Sequence, residues 1–211
     1  MFPAAQFLYL ARDPRAGVHS MNKTDFLPGD TVINALNRYH YAVEGLARLE
    51  QTVPADQRMM LRYEDLVAEP EATTRAVCAF LGERFEPAML RFHEEAEQYM
   101  KQRAARTFNS SATRPVDASK IDAWKGRLSA RDVSIIESIC REEMERFGYE
   151  PSGGRPSLTT RFDVYAKNAY YQFQRWRRGS PPQYLLMDQI FGRSRQRLRR
   201  LRRRLAKSLG G

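Results

Sequence analysis

The segment Phe-Leu-Tyr-Leu-Ala-Arg-Asp-Pro-Arg-Ala-Gly-Val-His-Ser occupies residues 7–20. Its first five residues, Phe7 to Ala11, are continuously apolar rather than alternating, which predicts a strand buried inside a parallel sheet. Pro14 is suited to the first turn of a helix, where a missing backbone N–H costs little. The segment therefore predicts a turn from a strand into a helix, and Arg12 lies at that turn.

Arg12 and Ser20 are the candidate binding residues of this segment. Open α/β sheets bind ligands in the crevice at the carboxyl ends of their strands, which is where Arg12 is expected. Ser20 follows eight residues later and can turn its hydroxyl toward the same crevice. An arginine fork and a hydroxyl donor together suit a phosphate group. The alternative is that Arg12 pairs with Asp13 and that Ser20 faces solvent.

Further elements follow the same alternation of strand and helix. Apolar residues recur at helical spacing from Val32 to Leu49, which predicts one helix that begins after Thr31. A second strand is predicted at 58–63, and further helices at 70–81, 87–105, 119–126 and 129–147. The alternation predicts the α/β class.

Several segments of the chain, in order, resemble one family. Arg12-Asp13-Pro14-Arg15, with Ser20 eight positions after the first Arg, looks like the 3′-phosphate motif of sulfotransferases that use 3′-phosphoadenosine 5′-phosphosulfate (PAPS). The segments 61–67 and 80–82 are similar to a strand-to-helix segment of that family. The pattern from Arg114 to Gly126, ending at 147–151, looks most like the tyrosylprotein sulfotransferase branch and its bacterial relatives. The resemblance implies a P-loop-like sulfotransferase fold, a parallel sheet flanked by helices, and sulfuryl transfer from PAPS to a hydroxyl acceptor.

The resemblance also implies which residues contact the nucleotide. Arg12 and Ser20 match the ligands of the 3′-phosphate, and Tyr63 matches a tyrosine that contacts the adenine. The other implied contacts are Ser110 or Ser111 near the transferred group, and Lys125 and Arg127 near the nucleotide. Each has an alternative: Tyr63 as an aromatic residue at the edge of the core, Lys125 and Arg127 as a solvated helix end. Arg62 and Glu64, on either side of Tyr63, can form a structural ion pair.

The family's phosphate loop and catalytic base have no counterpart in the sequence. The resemblance implies that both come from segments that precede the Arg12 strand. We therefore expect the N-terminal strand and phosphate loop to be missing and the base to lie upstream of Met1. On that expectation, residues 1–211 are inactive alone.

The positive charge is concentrated at the carboxyl end. The formal net charge is +10, and residues 161–211 contain 14 of the 35 Lys and Arg but only two of the 25 Asp and Glu. Residues 151–157 are rich in Pro, Gly and Ser, which indicates a linker. The predicted organisation is a partial sulfotransferase domain over 1–151, a linker over 152–160 and a basic, aromatic-rich helical tail over 161–211.

The tail suggests other partners. Residues 193–209 have the leucine spacing of a basic amphipathic helix, which could contact an anionic membrane or an acidic partner, or remain solvated. Aromatic residues from Tyr165 to Tyr184 are interleaved with cations, a pattern of nucleic-acid binding, although a helix that packs back on the domain also fits. The alternative function is therefore a non-catalytic basic protein that contacts nucleic acid or an anionic membrane through this tail.

The remaining residues indicate a soluble protein in a reducing compartment. Cys78 and Cys140 lie among apolar neighbours, which predicts buried free thiols. The three histidines are scattered, so no metal site is predicted. No signal peptide is visible, and the apolar runs are far shorter than the about 20 residues of a membrane span. A cytoplasmic location is expected, with a peripheral membrane association through the tail left open.

Overall fold

The computed structural model describes residues 4–23, 29–39, 42–43, 45–94 and 116–177. Within these ranges the strands are β1, Phe7–Ala11, and β2, Arg58–Arg62. The helices, in chain order, are α1 (Pro14–Met21), α2 (Thr31–Tyr39), α3 (Gly45–Thr52), α4 (Tyr63–Ala68), α5 (Pro70–Leu81), α6 (Ala130–Ile139), α7 (Arg141–Phe147) and α8 (Leu158–Arg177). Short 3₁₀ turns are Ala55–Gln57, Pro87–Arg91 and Ala118–Lys120.

The two strands form a parallel pair, as the sequence predicts. Phe7 pairs with Arg58 at one end and Ala11 pairs with Arg62 at the other. Because the strands run in the same direction, both carboxyl ends lie at one edge of the sheet. The residues that follow them, Arg12 and Tyr63, are therefore brought side by side.

The prediction that β1 is fully buried is wrong. Side chains alternate between the two faces of a strand, and Ala11 is buried while Leu8 and Leu10 are 46% and 51% exposed. Tyr9, on the same face as Ala11, stacks on Phe147 with the ring centroids 5.9 Å apart. The described helices thus cover one face of β1, and a continuous apolar run does not reveal which face stays open.

The core lies between helices rather than around the sheet. Helices α1, α2, α6 and α8 supply its fully buried side chains, which include Val18, Leu36, Ile136 and Val164. Burying one such aliphatic side chain stabilises the fold by about 1.5–3 kcal/mol. The core therefore fixes α1, which carries the candidate phosphate-binding segment, against α2 and α6.

Four predicted helices differ from the structure. The helix predicted over 87–105 begins with the 3₁₀ turn Pro87–Arg91, and its residues 95–105 lie outside the described residues. The helix predicted over 31–49 is two helices, α2 and α3, with a wider π-type turn at Ala42 and Val43. The helix predicted over 129–147 is broken at Cys140. Apolar spacing detects neither break, because the buried positions continue through both. Residues 119–126 form turns rather than a helix, where Gly126 has a φ of 70°.

The helix that follows the Pro- and Gly-rich segment begins at Leu158, inside the range predicted as linker. It packs on α2 and α6, so residues 158–177 adjoin the core and do not form a separate tail.

Both cysteines are buried and free, as predicted, and burial raises the pKa of Cys140. None of the described helices has the length and apolar character to cross a membrane. The helix predicted over 193–209 lies outside the described residues.

Candidate functional site

Arg12 and Tyr63 are in direct contact at the carboxyl edge of the sheet. The guanidinium carbon of Arg12 lies 4.4 Å from the centroid of the Tyr63 ring. Arg12 Nη2 also donates to the backbone carbonyl of Lys120 at 3.3 Å. The aromatic face and the carbonyl hold the arginine fork in one orientation, and the tyrosine is positioned by its place just after β2.

The charge of Arg12 is not neutralised by Asp13. Asp13 instead pairs with Arg15, with Oδ2 2.7 Å from Arg15 Nη2, and its Oδ1 caps α1 by accepting from the Arg15 backbone N–H at 2.8 Å. Among the described residues no carboxylate pairs with Arg12, and its buried Nε has no hydrogen-bond partner. The geometry therefore leaves Arg12 available for an anion.

Arg15, the second arginine of the motif, has a structural role. Its Nη1 donates to Glu137 at 2.9 Å and to the carbonyl of Glu150 at 3.0 Å, and its guanidinium carbon lies 4.3 Å from a ring centroid of Trp124. Together with Asp13, these contacts use the whole fork. Arg15 thus joins the start of α1 to α6 and to the segment after α7.

A positive potential converges on the carboxyl end of α1. His19 is buried, and burial lowers its pKa below the ordinary value, with the charges of Lys23, Arg127 and Arg12 lowering it further. The charges of three cations thus act on one buried imidazole. Ser20, exposed in the last turn of α1, lies next to it. Lys23 was not predicted from the sequence, although its position three residues after Ser20 could have suggested it.

Lys125 and Arg127, predicted as a pair, have different surroundings. Lys125 Nζ lies 2.8 Å from Asp122 Oδ2 in an exposed ion pair. Arg127 instead contributes to the potential at His19. Arg127 thus affects the same histidine as Arg12, while Lys125 is engaged by a neighbouring carboxylate. Ser110 and Ser111 lie outside the described residues, and their role stays a prediction.

Arg38 binds both the backbone of Arg12 and the buried carboxylate of Glu143. Its Nη2 donates to the backbone carbonyl of Arg12 at 2.5 Å and to Glu143 Oε1 at 2.6 Å. Gly17 allows this approach, because a Cβ at that position would lie 2.4 Å from Arg38 Nη1. The sequence gives no signal for this contact, since Arg38 and Glu143 are 105 residues apart.

Glu64 connects three parts of the site. Its Oε1 accepts from the Asp13 backbone N–H at 2.9 Å, and its Oε2 accepts from the Tyr149 hydroxyl at 2.7 Å. Arg62, expected to pair with Glu64, instead lies over the Tyr149 ring, 4.6 Å from its centroid. The ion pair suggested by the sequence is replaced by a carboxylate that anchors the start of α1.

A Glu64→Gln variant is expected to lose about 1.5–3 kcal/mol of unfolding free energy, the range for a hydrogen bond to a charged group. Both partners of the carboxylate are donors, so the glutamine NH₂ must face one of them. Urea unfolding at pH 7 measures the loss. Glu71→Gln is the control: Glu71 pairs with Arg75 on the surface, both side chains more than half exposed, so the change should stay below about 1 kcal/mol. An equal loss in both variants would contradict the assigned role.

The same variant should alter alkaline unfolding. Burial raises the pKa of Tyr149, and the Glu64 hydrogen bond and charge raise it further. A raised folded pKa contributes stability that is complete below the unfolded value, about 10, and is lost as the pH rises above it. Removing the Glu64 charge brings the folded pKa closer to the unfolded one. The decline of stability above about pH 10 should therefore be shallower in Glu64→Gln.

No group of three or more His, Cys, Asp or Glu in the described part of the chain could hold a metal ion. The candidate site is instead an arginine that lies over an aromatic ring and has no carboxylate partner among the described residues. A guanidinium fork held in this way suits a phosphate group, because its donors match phosphate oxygens.

A family model described as "Sulfotransferase family" matches residues 1–87, which include β1, Arg12, Ser20 and Tyr63. Over these residues the chain is similar to the sulfotransferase family. Protein-tyrosine sulfotransferase of Drosophila melanogaster is 27% identical over 165 residues, which cover 74% of this chain and 32% of that protein. Protein-tyrosine sulfotransferase 1 of Danio rerio is 28% identical over 168 residues, covering 74% of this chain and 45% of the relative.

The similarity also includes another group of sulfotransferases. Carbohydrate sulfotransferase 7 of Mus musculus is 35% identical over 95 residues, covering 45% of this chain and 19% of that protein. The chain thus spans less than half the length of these curated relatives. The predicted resemblance to the sulfotransferase family is confirmed over the matched residues, and the alternative of a basic binding protein is not favoured. The closeness to bacterial relatives stays a prediction.

The fold is that of sulfotransferase domains. The sulfotransferase domain of the Synechococcus PCC 7002 olefin synthase superposes with a TM-score of 0.53 at 22% identity, covering 69% of this chain and 50% of that domain. This likeness confirms the α/β sulfotransferase fold predicted from the sequence. The predicted boundaries at 151 and 160 are not tested by it.

Proposed function

We propose that this sulfotransferase-family chain takes part in sulfuryl transfer from PAPS to a hydroxyl-bearing acceptor. In this proposal the part played by the described residues is to bind the adenosine 3′-phosphate end of the nucleotide. The observation that carries the proposal is the Arg12 guanidinium, stacked on Tyr63 and without a carboxylate partner among the described residues.

Each group has a definite task in this proposal. Arg12 binds the 3′-phosphate through its fork, and the Ser20 hydroxyl adds a neutral donor. Lys23 and Arg127 add positive charge near the end of α1, where both act on His19. Tyr63 orients Arg12 and presents its ring edge to the adenine. These roles concern binding and orientation, which also fix the direction in which the sulfuryl group points.

The acceptor class follows from chemistry shared by the relatives. Their names specify protein tyrosine in one group and carbohydrate in the other. Both carry hydroxyl groups, so we propose a hydroxyl acceptor and leave its scaffold open. Transfer to such a group requires the acceptor oxygen in line with the leaving phosphate, by analogy with phosphoryl transfer.

Nucleotide binding tests the proposal directly. Residues 1–211 are titrated by calorimetry with adenosine 3′,5′-bisphosphate, with adenosine 2′,5′-bisphosphate and with adenosine 5′-monophosphate. We expect the 3′,5′-isomer to bind roughly tenfold or more tightly than either control, because one charged hydrogen-bonded phosphate is worth 1.5–3 kcal/mol. The 2′,5′-isomer has the same charge, so equal affinity for both isomers would contradict a built 3′-phosphate site.

A further inference from the structure

Helix α8 is fixed to the core by one face. Val164 is 1% exposed within the core, and the Tyr171 hydroxyl donates to Asn37 Oδ1 at 2.6 Å. Lys167 Nζ donates to Asp30 Oδ2 at 2.6 Å. These contacts join α8 to α2 and to the residue before it. The helix therefore cannot rotate freely, and its opposite face is held outward.

That outward face is apolar and continuous. We call it the aromatic stripe, and its members are Leu158, Phe162, Tyr165, Phe173 and Trp176. Leu158 is 81% exposed, Phe162 71% and Trp176 61%. At the 100° turned per residue of an α-helix, the members fall within an arc of about 80°. Phe173 and Trp176 contact each other with ring centroids 6.0 Å apart. Contiguous exposed apolar side chains of this kind mark an interaction surface.

Lys167 of α8 is separated from the stripe, whereas Arg161 and Arg177 fall about 40° beyond its two edges at 100° per residue. Lys167 lies on the core side, where it contacts Asp30 and also Asp163 at 3.6 Å. Asp163 in turn pairs with Arg131 at 2.5 Å. Leu158 is the most exposed member of the stripe, and it has no ring on which a base could stack. The stripe is therefore better suited to an apolar layer than to bases.

The charge that follows α8 indicates the kind of surface. Residues 178–211 contain ten Lys and Arg and one acidic residue, Asp188. Two copies of the chain joined through their stripes would bring two such segments together, which like-charge repulsion disfavours. An anionic surface is complementary to that charge. Interfacial helices combine Trp, Phe and Leu on one face with many cations.

We propose that the aromatic stripe of α8 docks on an anionic lipid bilayer. The stripe enters the boundary between headgroups and acyl chains, where Trp and Tyr rings are favoured. The cations of residues 178–211 contact the anionic headgroups, each contributing to the affinity and each weakened by salt. This inference is independent of the proposed nucleotide site, because no member of the stripe belongs to that site.

Tryptophan fluorescence provides the decisive measurement. The chain has two tryptophans, of which Trp124 is 8% exposed and Trp176 is 61% exposed. The full chain is mixed with vesicles of phosphatidylcholine and phosphatidylglycerol in a ratio of roughly 3:1, which makes the vesicle surface anionic. The vesicles are prepared with and without bromine on the acyl chains. We expect bromine to quench Trp176 and to leave Trp124 unchanged, and a Trp176→Phe variant to lose the quenching.

Flotation with the same vesicles measures affinity. A Phe162→Ser/Phe173→Ser variant is expected to bind roughly tenfold more weakly, because binding scales with buried apolar area. Tyr170→Ser is the matched control, since Tyr170 is 61% exposed on the same helix but outside the stripe. Binding should also require the anionic lipid and fall with salt.

Other results would overturn the proposal. Vesicle binding without quenching of Trp176 would mean that charge alone attaches the chain. A concentration-dependent dimer in sedimentation that is lost in the double serine variant would identify a second copy as the occupant. Stripe-dependent binding to single-stranded RNA, without vesicle binding, would assign a nucleic acid. The quenching experiment uses the unaltered chain, so a poorly folded variant does not remove the test.

Discussion

The Arg12→Ala variant is expected to bind adenosine 3′,5′-bisphosphate about 10- to 150-fold more weakly than the wild type, because a charged hydrogen bond to phosphate is worth 1.5–3 kcal/mol. The loss should be large for this arginine because no described carboxylate shares it. The wild-type guanidinium is already oriented by the Tyr63 ring, so little ordering is required on binding. Calorimetric titration of both proteins with the same nucleotide measures the effect.

Two controls separate the 3′-phosphate from other causes. Adenosine 5′-monophosphate should bind both proteins with similar affinity, since Arg12 has no 3′-phosphate to contact. Arg141→Ala removes one exposed arginine that lies 3.9 Å from Glu145, and should leave nucleotide affinity unchanged. Thermal unfolding establishes that Arg12→Ala is folded. A variant that is folded and retains wild-type affinity would remove the central residue from the proposed site.

The position of Arg12 was predictable from the sequence for a physical reason. An apolar run of five residues followed by Arg and then Pro14 defines where a strand ends and a helix begins. The second strand placed Tyr63 at the same edge, because parallel strands end together. The contact between the two side chains then follows from the register, in which Ala11 pairs with Arg62.

The partners of the charged residues were not predictable in the same way. Asp13 is adjacent to Arg12 in the chain, yet it turns into α1 and pairs with Arg15. Sequence proximity does not determine which neighbour a carboxylate faces when helix capping competes. Lys125 and Arg127 flank Gly126 symmetrically in the sequence, and only the turn at that glycine, with a φ of 70°, gives them different surroundings.

Long-range burial explains the remaining differences. Charged residues at helical spacing normally indicate a solvated face, so Arg38 and Glu143 gave no signal. Glu143 is nevertheless 1% exposed and meets Arg38 across the core. The helix breaks at Cys140 and before α3 could not be predicted from the sequence for a related reason. The apolar residues on either side of each break face the same core, so the helical spacing continues through it.

An Arg38→Met variant is expected to lose about 3–5 kcal/mol of unfolding free energy, because removal of one partner leaves a buried charge uncompensated. Glu143 remains with no cation, and the Arg12 carbonyl loses its donor. Urea unfolding at pH 7 measures the loss. Arg141→Met, on the neighbouring surface of α7, changes an exposed pair and should cost less than about 1 kcal/mol.

The destabilisation should depend on pH in a known direction. Burial raises the pKa of Glu143, and the charge of Arg38 opposes that rise. In Arg38→Met this positive charge is absent, so the pKa of Glu143 in the folded protein rises further above its unfolded value of about 4.3. A raised folded pKa contributes stability at low pH that is lost as the pH rises. The difference in unfolding free energy between Arg38→Met and the wild type should therefore become smaller as the pH falls from 7 toward 5.

The double variant Arg38→Met/Glu143→Leu separates the two roles of the pair. Replacing both partners of a buried ion pair with apolar residues of similar volume is often neutral or stabilising, so most of the lost stability should return. The Arg12 carbonyl still lacks its donor, however, and affinity for adenosine 3′,5′-bisphosphate should stay reduced. Recovery of both stability and wild-type affinity would show that Arg38 only stabilises the core. Recovery of stability alone identifies Arg38 as a positioning residue for Arg12.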